Sequence, residues 1–382
     1  MNKITLRGSI VTPFELIGRG QVEIRGGKIS YAGPRRAIDG QIVEHDDSLI
    51  CPGLIDTHVH GALGYDFMEP TPEALDTISS YLVEGGVTGF LATTHSSSQS
   101  KTLNAVKRIA DHRDLPGAKL LGLHLEGPYL SHEKRGAQDE AHIRKFELSE
   151  FKDIVKAGGD LIKIVTLAPE IEEGNEAIEW MTKAGIIVSA GHTNATFDQA
   201  REAVNLGLSH VSHLFNGMRG LHHREPGIVG AALTDGRVSV ELIADGVHLH
   251  PAALRIAALL KGAHSTALIS DSIKHAGLPE GDYKHGDDVV SVKEGQIRLA
   301  DGRIAGSCIR LNQAVKTMVE EAGISLTEAV QMASDTPSRI LGLNPVKGRI
   351  CDGSDADIMV IDWDFRVRET WIEGLRVYHE GA

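Results

Sequence analysis

Through the middle of the chain, short apolar runs alternate with amphipathic segments of helical period. The candidate strands are Leu49–His58, Val87–Thr94, Lys119–Glu126, Leu161–Leu167, Ile186–Ala190, His210–Leu214, Val238–Ile243 and Ala267–Asp271. Most are followed by a helical stretch: Thr71–Glu84, Lys101–Asp111, Leu148–Ala157, Gly174–Ala184, Thr196–Leu206 or Pro251–Lys261. The first of these opens on Thr71-Pro72, an N-cap residue followed by proline in the first turn, where its missing N–H costs nothing. Apolar strands separated by helices predict an α/β protein with a parallel sheet, and their number predicts a (β/α)8 barrel of the TIM type. An open doubly wound sheet is the competing arrangement, but no GxGxxG turn follows any early strand.

The two ends of the chain are patterned differently. Residues 1–50 read as short strands with glycine turns, with alternation through Gln21-Val22-Glu23-Ile24-Arg25 and a hairpin turn at Gly26-Gly27. The tail KGRICDGSDADIMVIDWDFRVRETWIEGLRVYHEG returns to that style. Neither end would bury enough to stand alone, so together they predict one small β-sandwich with the termini close in space. The expected division is residues 1–51 with 345–382 for the sandwich, and 52–344 for the barrel.

Composition narrows the class. With 41% hydrophobic and 24% charged residues the chain has the make-up of a soluble globular protein. No run approaches the ~18–20 apolar residues of a membrane helix, and the first residues have no apolar core of the secretory kind. Three well-separated cysteines, Cys51, Cys308 and Cys351, make no disulfide framework. A reducing cytoplasm is the expected location. Charge sums to −13, from 39 basic against 52 acidic residues, and aromatics are only 4%. Nucleic acid and membrane surfaces are therefore excluded as partners, and an anionic ligand would need a local cationic pocket. The informative excess is in histidine, 19 residues, and glycine, 42.

Those histidines fall where a barrel keeps its chemistry, at the C-terminal ends of strands. The first strand ends Asp56-Thr57-His58-Val59-His60, whose period of two turns His58 and His60 to one side. The third ends in Glu126-Gly127-Pro128, the fifth in Gly191-His192, the sixth in Ser212-His213 and the eighth in Asp271. Each alone has an ordinary explanation: a satisfied histidine, or a carboxylate capping a turn. Four imidazoles and two carboxylates at separate strand ends fit zinc or ferrous iron in a hydrolytic site. A bridging carboxylate can hold two such ions around one hydroxide. Asp56 is expected to orient a ligand histidine from behind. His124, His210, His222, His223 and His275 are expected to be structural.

CPGLIDTHVHG and the late KGRICDGSDADIMVID resemble the amidohydrolase superfamily. LHLEGPYL, KRGAQ, SAGHTNAT, SHLFNGM, LHHREPGIVGAAL, ELIADGVHLHP and LISDSI are similar to the N-acetylglucosamine-6-phosphate deacetylases and their N-acetylgalactosamine-6-phosphate siblings. The resemblance implies hydrolysis of an N-acetylhexosamine 6-phosphate to the amino sugar phosphate and acetate. It implies Glu126, His192 and His213 as the main metal site, with His58, His60 and a bridging Glu126 completing a second. One or two divalent ions would bind, zinc first and iron second. Asp271 would be both ligand and general base. For the substrate it implies Ala137, Gln138, Asn216, Gly217, Arg224, His248, Ile304, Ala305 and Gly306, with Arg224 and His248 on the phosphate. Family dimers contribute such an arginine across the subunit interface, which predicts a homodimer or a dimer-based homo-oligomer. Some relatives carry histidine where this chain has Gln138, and glutamine cannot become cationic. Two readings compete. A cyclic-amide amidohydrolase of the hydantoinase or dihydroorotase kind would bridge its ions with a carboxylated lysine, for which Lys163 in the fourth strand is available. A catalytically dead sugar-phosphate-binding scaffold should have lost ligands, yet all six positions hold competent side chains.

Overall fold

The computed structural model describes residues 3–38, 40–286 and 288–381. Its centre is an eight-stranded sheet whose strands follow in chain order: β1 (Leu54–Val59), β2 (Val87–Thr94), β3 (Lys119–Glu126), β4 (Ile162–Leu167), β5 (Ile187–Ala190), β6 (His210–Val211), β7 (Ser239–Ile243) and β8 (Thr266–Ile269). All neighbours pair in parallel. Just beyond β8 the Asp271 amide donates to the His58 carbonyl at 2.9 Å and the His60 amide to the Ser272 carbonyl at 2.8 Å, so the barrel is nearly closed. Parallel neighbours need long crossovers. The helices Pro72–Val83, Gln99–Asp111, Leu148–Gly158, Gly174–Lys183, Phe197–Leu206, Gly227–Thr234 and Pro251–Lys261 provide them. Thr71 caps the first by accepting from the Ala74 amide at 3.1 Å, and Thr196 with Gln199 forms a reciprocal capping box at the start of Phe197–Leu206.

Two of the barrel strands end earlier than their apolar runs. The sixth run stops pairing at Val211 and the eighth at Ile269 because the residues that follow turn into left-handed backbone, His213 at φ 32° and Asp271 at φ 48°. The first run, Leu49–His58, divides in two. Leu49–Pro52 closes a strand of another sheet, Gln41–Pro52, and β1 begins after Gly53. Hydrophobic periodicity cannot register such a change of partner.

That other sheet joins both ends of the chain. Its seven strands lie in the order Leu375–His379, Val367–Ile372, Ile358–Asp362, Gln41–Pro52, Lys3–Val11, Leu16–Arg25 and Lys28–Pro34. The hairpin turn falls at Gly26 and Gly27, with φ values of 57° and 78°. One face encloses Leu6, Ile10, Val22, Ile24, Ile50, Ile358 and Val360. The alternate residues Val11, Leu49, Cys51, Met359 and Ile361 belong to the barrel's own core. Period-two patterning thus serves two cores at once.

A three-stranded antiparallel sheet follows β8, comprising Gly281–His285, Asp288–Lys293 and Gln296–Leu299. It was not anticipated, although Val290, Val292, Ile297 and Leu299 alternate into a small core of its own. It leads into residues 304–307, which return to the barrel mouth through a 2.9 Å bond from the Ser307 amide to the Asp271 carbonyl. Arg303 also donates to the Gly136 carbonyl at 2.6 Å. The cysteines carry free thiols. Among the described residues no helix is long and apolar enough to cross a membrane.

Candidate active site

Six side chains converge at the C-terminal mouth of the barrel. Glu126, at the end of β3, is the hub: its Oε1 lies 2.8 Å from His213 Nε2, 3.2 Å from His192 Nε2 and 3.5 Å from His58 Nε2. Its Oε2 lies 3.4 Å from His60 Nε2. Asp271 Oδ1 approaches the same β1 pair, 3.3 Å from His60 and 3.6 Å from His58. The backbone aims these groups inward under strain. His192 (φ 47°), His213 (φ 32°) and Asp271 (φ 48°) occupy a region that residues other than glycine avoid, as ligand-holding positions often do.

For three of the four rings the far side fixes the tautomer. His192 Nδ1 bonds the Lys134 carbonyl at 3.0 Å, His213 Nδ1 the Asn216 carbonyl at 3.1 Å, and His58 Nδ1 a carboxylate oxygen of Glu241 at 2.9 Å. Those partners only accept, so each Nδ1 carries the proton and each neutral ring turns the bare Nε2 lone pair toward Glu126. Lone pairs facing a buried carboxylate repel it unless a proton or a cation lies between. His58 Nε2 is buried with no hydrogen-bond partner. Without a cation, protons are favoured on His58, His60 and His192. Burial alone would push His60 down, but Asp271 and Glu126 outweigh it and hold its pKa up at about 9. His58 is raised well above the usual imidazole range despite burial, by Glu126, Glu241 and Asp271. His58, His60 and Asp271, and likewise His58, Glu126 and His213, offer donor atoms within 4.8 Å of one another. The donor set of imidazole and carboxylate, and the charge it lacks, fit a divalent metal.

Gln138 joins this cluster. Its Oε1 accepts from the Ser96 amide at 2.8 Å and its Nε2 donates to Glu126 Oε2 at 2.6 Å. Asn216 and Gly217 lie on the turn after His213, and Gly217 packs against the His192 ring. Ala305 is buried, and Gly306 lies beside the Asp271 carbonyl. Ile304 is half-buried on the same loop and Ala137 is exposed. The remaining two stand apart by their hydrogen bonds: exposed Arg224 reaches His223 Nε2 at 2.7 Å, and His248 Nδ1 reaches Asp245 at 2.7 Å. Among the described residues no acid pairs with Arg224; Glu225 instead accepts from the Phe197 and Gly227 amides.

The residue behind His58 is Glu241, not Asp56. Asp56 accepts from the backbone amides of His58 and Ser270, both at 3.3 Å, and burial pushes its pKa up to about 6. Glu241 lies inside β7, and its one sequence signal is a carboxylate within the apolar run Val238–Ile243. Of the histidines expected to be structural, His124 is sealed in the barrel between the Thr57 carbonyl at 2.9 Å and Thr166 Oγ1 at 2.7 Å. Lys163 is the second residue of β4, at a register shift and packed against Gly122, well before the strand's C-terminal end where the cluster lies, so a bridging role for it in a cyclic-amide hydrolase has no support.

Comparison with known proteins agrees with this geometry. Residues 49–377 match the amidohydrolase family model. N-acetylglucosamine-6-phosphate deacetylase of Bacillus subtilis is 40% identical over 96% of this chain and 94% of that one. N-acetylgalactosamine-6-phosphate deacetylase of Escherichia coli O157:H7 is 39% identical over 93% of each chain. A variant N-acetyl-D-glucosamine-6-phosphate deacetylase of Mycobacterium smegmatis, solved with N-acetyl-D-glucosamine 6-phosphate, superposes with a TM-score of 0.94 at 30% identity, covering 99% of this chain and 100% of that one. With a barrel, a strand-end cluster and family similarity along nearly its whole length, the chain belongs to the amidohydrolase family.

Proposed function

We propose that this protein is an N-acetylhexosamine-6-phosphate deacetylase, cleaving the N-acetyl group of N-acetylglucosamine 6-phosphate or N-acetylgalactosamine 6-phosphate to the amino sugar phosphate and acetate. The observation that carries the reading is the ring of Nε2 atoms around Glu126 beside Asp271, in a chain so similar to enzymes of that name. Glu126, His192 and His213 would hold one divalent ion and His58, His60 and Asp271 a second, with Glu126 shared; zinc is the first choice and iron the second. When bound, such an ion would lower the pKa of a water molecule and polarise the acetyl carbonyl. Asp271 takes the proton of the attacking water and delivers it to the departing amine, one carboxylate serving both directions. Its backbone, bonded on both sides at 2.9 Å, holds it over the β1 pair. Gln138 spends its amide on Ser96 and Glu126, so it steadies the shared carboxylate instead of standing free as a cation would.

Arg224 and His248 are the phosphate partners in this reading, with Ala137, Asn216, Gly217, Ile304, Ala305 and Gly306 lining the sugar. A planar guanidinium fork suits phosphate oxygens. Since Arg224 is exposed and pairs with no acid among the described residues, it is available to the site of a second subunit in a homodimer. We further propose a cytoplasmic location and a domain division at residues 1–51 with 345–382, and 52–344. The test is acetate release from both sugar 6-phosphates and their unphosphorylated forms, with metal content measured on the same sample. Turnover of either phosphorylated sugar well above its unphosphorylated form is the expected outcome; no release from any would overturn the proposal.

A further inference from the structure

We infer that Glu241 is a positioning residue that sets the metal affinity of the His58–His60 half of the centre, an inference that rests on the metal reading above. Glu241 is entirely buried within β7. Its Oε1 accepts from Thr57 Oγ1 at 3.0 Å and lies 3.2 Å from His210 Nε2, while its Oε2 lies 2.9 Å from His58 Nδ1. No lysine or arginine is among these partners. A carboxylate sealed in a barrel persists only where its partners offset the loss of water, and here imidazoles and a hydroxyl surround it. His210 is itself anchored from its other nitrogen by Ser239 Oγ at 2.6 Å.

The arrangement distinguishes His58 from the other rings of the cluster. His192 and His213 lean on neutral backbone carbonyls. His58 leans on a full anion, which both fixes the proton on Nδ1 and makes Nε2 a stronger electron donor. The same Nε2 is the buried atom with no partner, facing Glu126 and Asp271. His60 has no corresponding support, since its Nδ1 is buried without a partner. The β1 pair therefore depends on Glu241 for orientation and for charge, whereas the Glu126–His192–His213 set does not touch it.

The test uses the metal-loaded full-length protein, dialysed against chelator-buffered zinc over a range of free concentrations, with zinc per chain as the readout. Glu241→Gln keeps shape but removes charge, and is expected to weaken one of the two ions by roughly 10–100-fold while leaving the other within about threefold. In a His58→Ala background the same change should cause no further zinc loss, because the two residues act as one unit. Glu241→Asp, which keeps the charge but withdraws it from His58, should give a smaller selective loss and serves if the glutamine variant does not fold. Unchanged zinc curves in Glu241→Gln would overturn the inference. So would equal weakening of both ions, or the same loss with and without His58, since either marks a general packing role. If His58→Ala itself leaves zinc binding intact, the metal reading of the β1 pair fails, and the inference falls with it.

Discussion

Replacing Gly217 with alanine tests the metal centre through backbone that touches it. Gly217 lies at φ +58°, and a Cβ there would come within 2.8 Å of His192 Nδ1, 3.1 Å of its Cε1 and 3.2 Å of the Lys134 carbonyl oxygen. None of these atoms is the loose end of a flexible chain. The ring is pinned by the 3.0 Å bond from Nδ1 to Lys134, and its Nε2 sits 3.2 Å from Glu126. Restoring ordinary contact at ~3.5 Å would drive the ring back by roughly 0.7 Å. A misplacement of about 1 Å at a reacting centre costs about 10²-fold, so a fall of roughly 10–100-fold in kcat/KM is expected. Left-handed alanine adds a penalty of about 1–2 kcal/mol, which lowers Tm by roughly 1–3 °C in a protein of this size. The control is Gly236→Ala, whose Cβ meets nothing within 4 Å and whose backbone is outside the left-handed region. Acetate release, Tm and metal content should be measured on all three proteins. Wild-type metal content and turnover in Gly217→Ala would refute the view that the position of His192 is this tightly set.

Asp271→Asn should keep the ion at Glu126, His192 and His213 yet lower kcat by roughly 10²–10⁴, the usual worth of acid–base catalysis; near-normal turnover would remove Asp271 from proton transfer. Arg224→Ala should raise KM strongly for the 6-phosphorylated sugar and little for the unphosphorylated one, with Arg224→Lys recovering only part of the loss. Equal effects on both sugars would make Arg224 structural. In the terminal sheet, the hydrogen bond from Arg36 prevails over burial and, with Lys3, lowers Glu23 from its ordinary 4.5 to about 2. A depressed carboxylate stabilises fully above its unfolded value and loses that contribution as pH falls through the folded one. Glu23→Gln should therefore melt a few degrees below wild type at pH 6, with the gap closing toward pH 2; a gap that persists at pH 2 would contradict this.

The barrel was legible because parallel strands buried on both faces leave continuous apolar runs, as in Val87–Thr94 and Lys119–Glu126, whose bounds match. Strand ends were less legible where function intrudes: His213 and Asp271 adopt positive φ to aim their side chains, and no pattern of polarity encodes that. Leu49–His58 reads as one run although it serves two sheets. The cluster around Glu126 was visible because its members stand at or just past strand ends, His58 and His60 together at β1 and the others at β3, β5, β6 and β8. Glu241 was not, since one carboxylate within an apolar run has no periodicity and its partners Thr57, His58 and His210 are far from it in sequence, on β1 and β6. Gln138 was visible as a departure from relatives, but its clamp on Glu126 required the loop's path to be known.

The most direct test of the central claim is acetate release from N-acetylhexosamine 6-phosphate by one sample assayed as purified, after removal of metal, and after reloading. Activity should fall with metal content, return on reloading, and fail to return in His192→Ala and His213→Ala, each of which lacks one of the donors around Glu126. Full turnover by wild-type protein with no detectable metal would contradict the account.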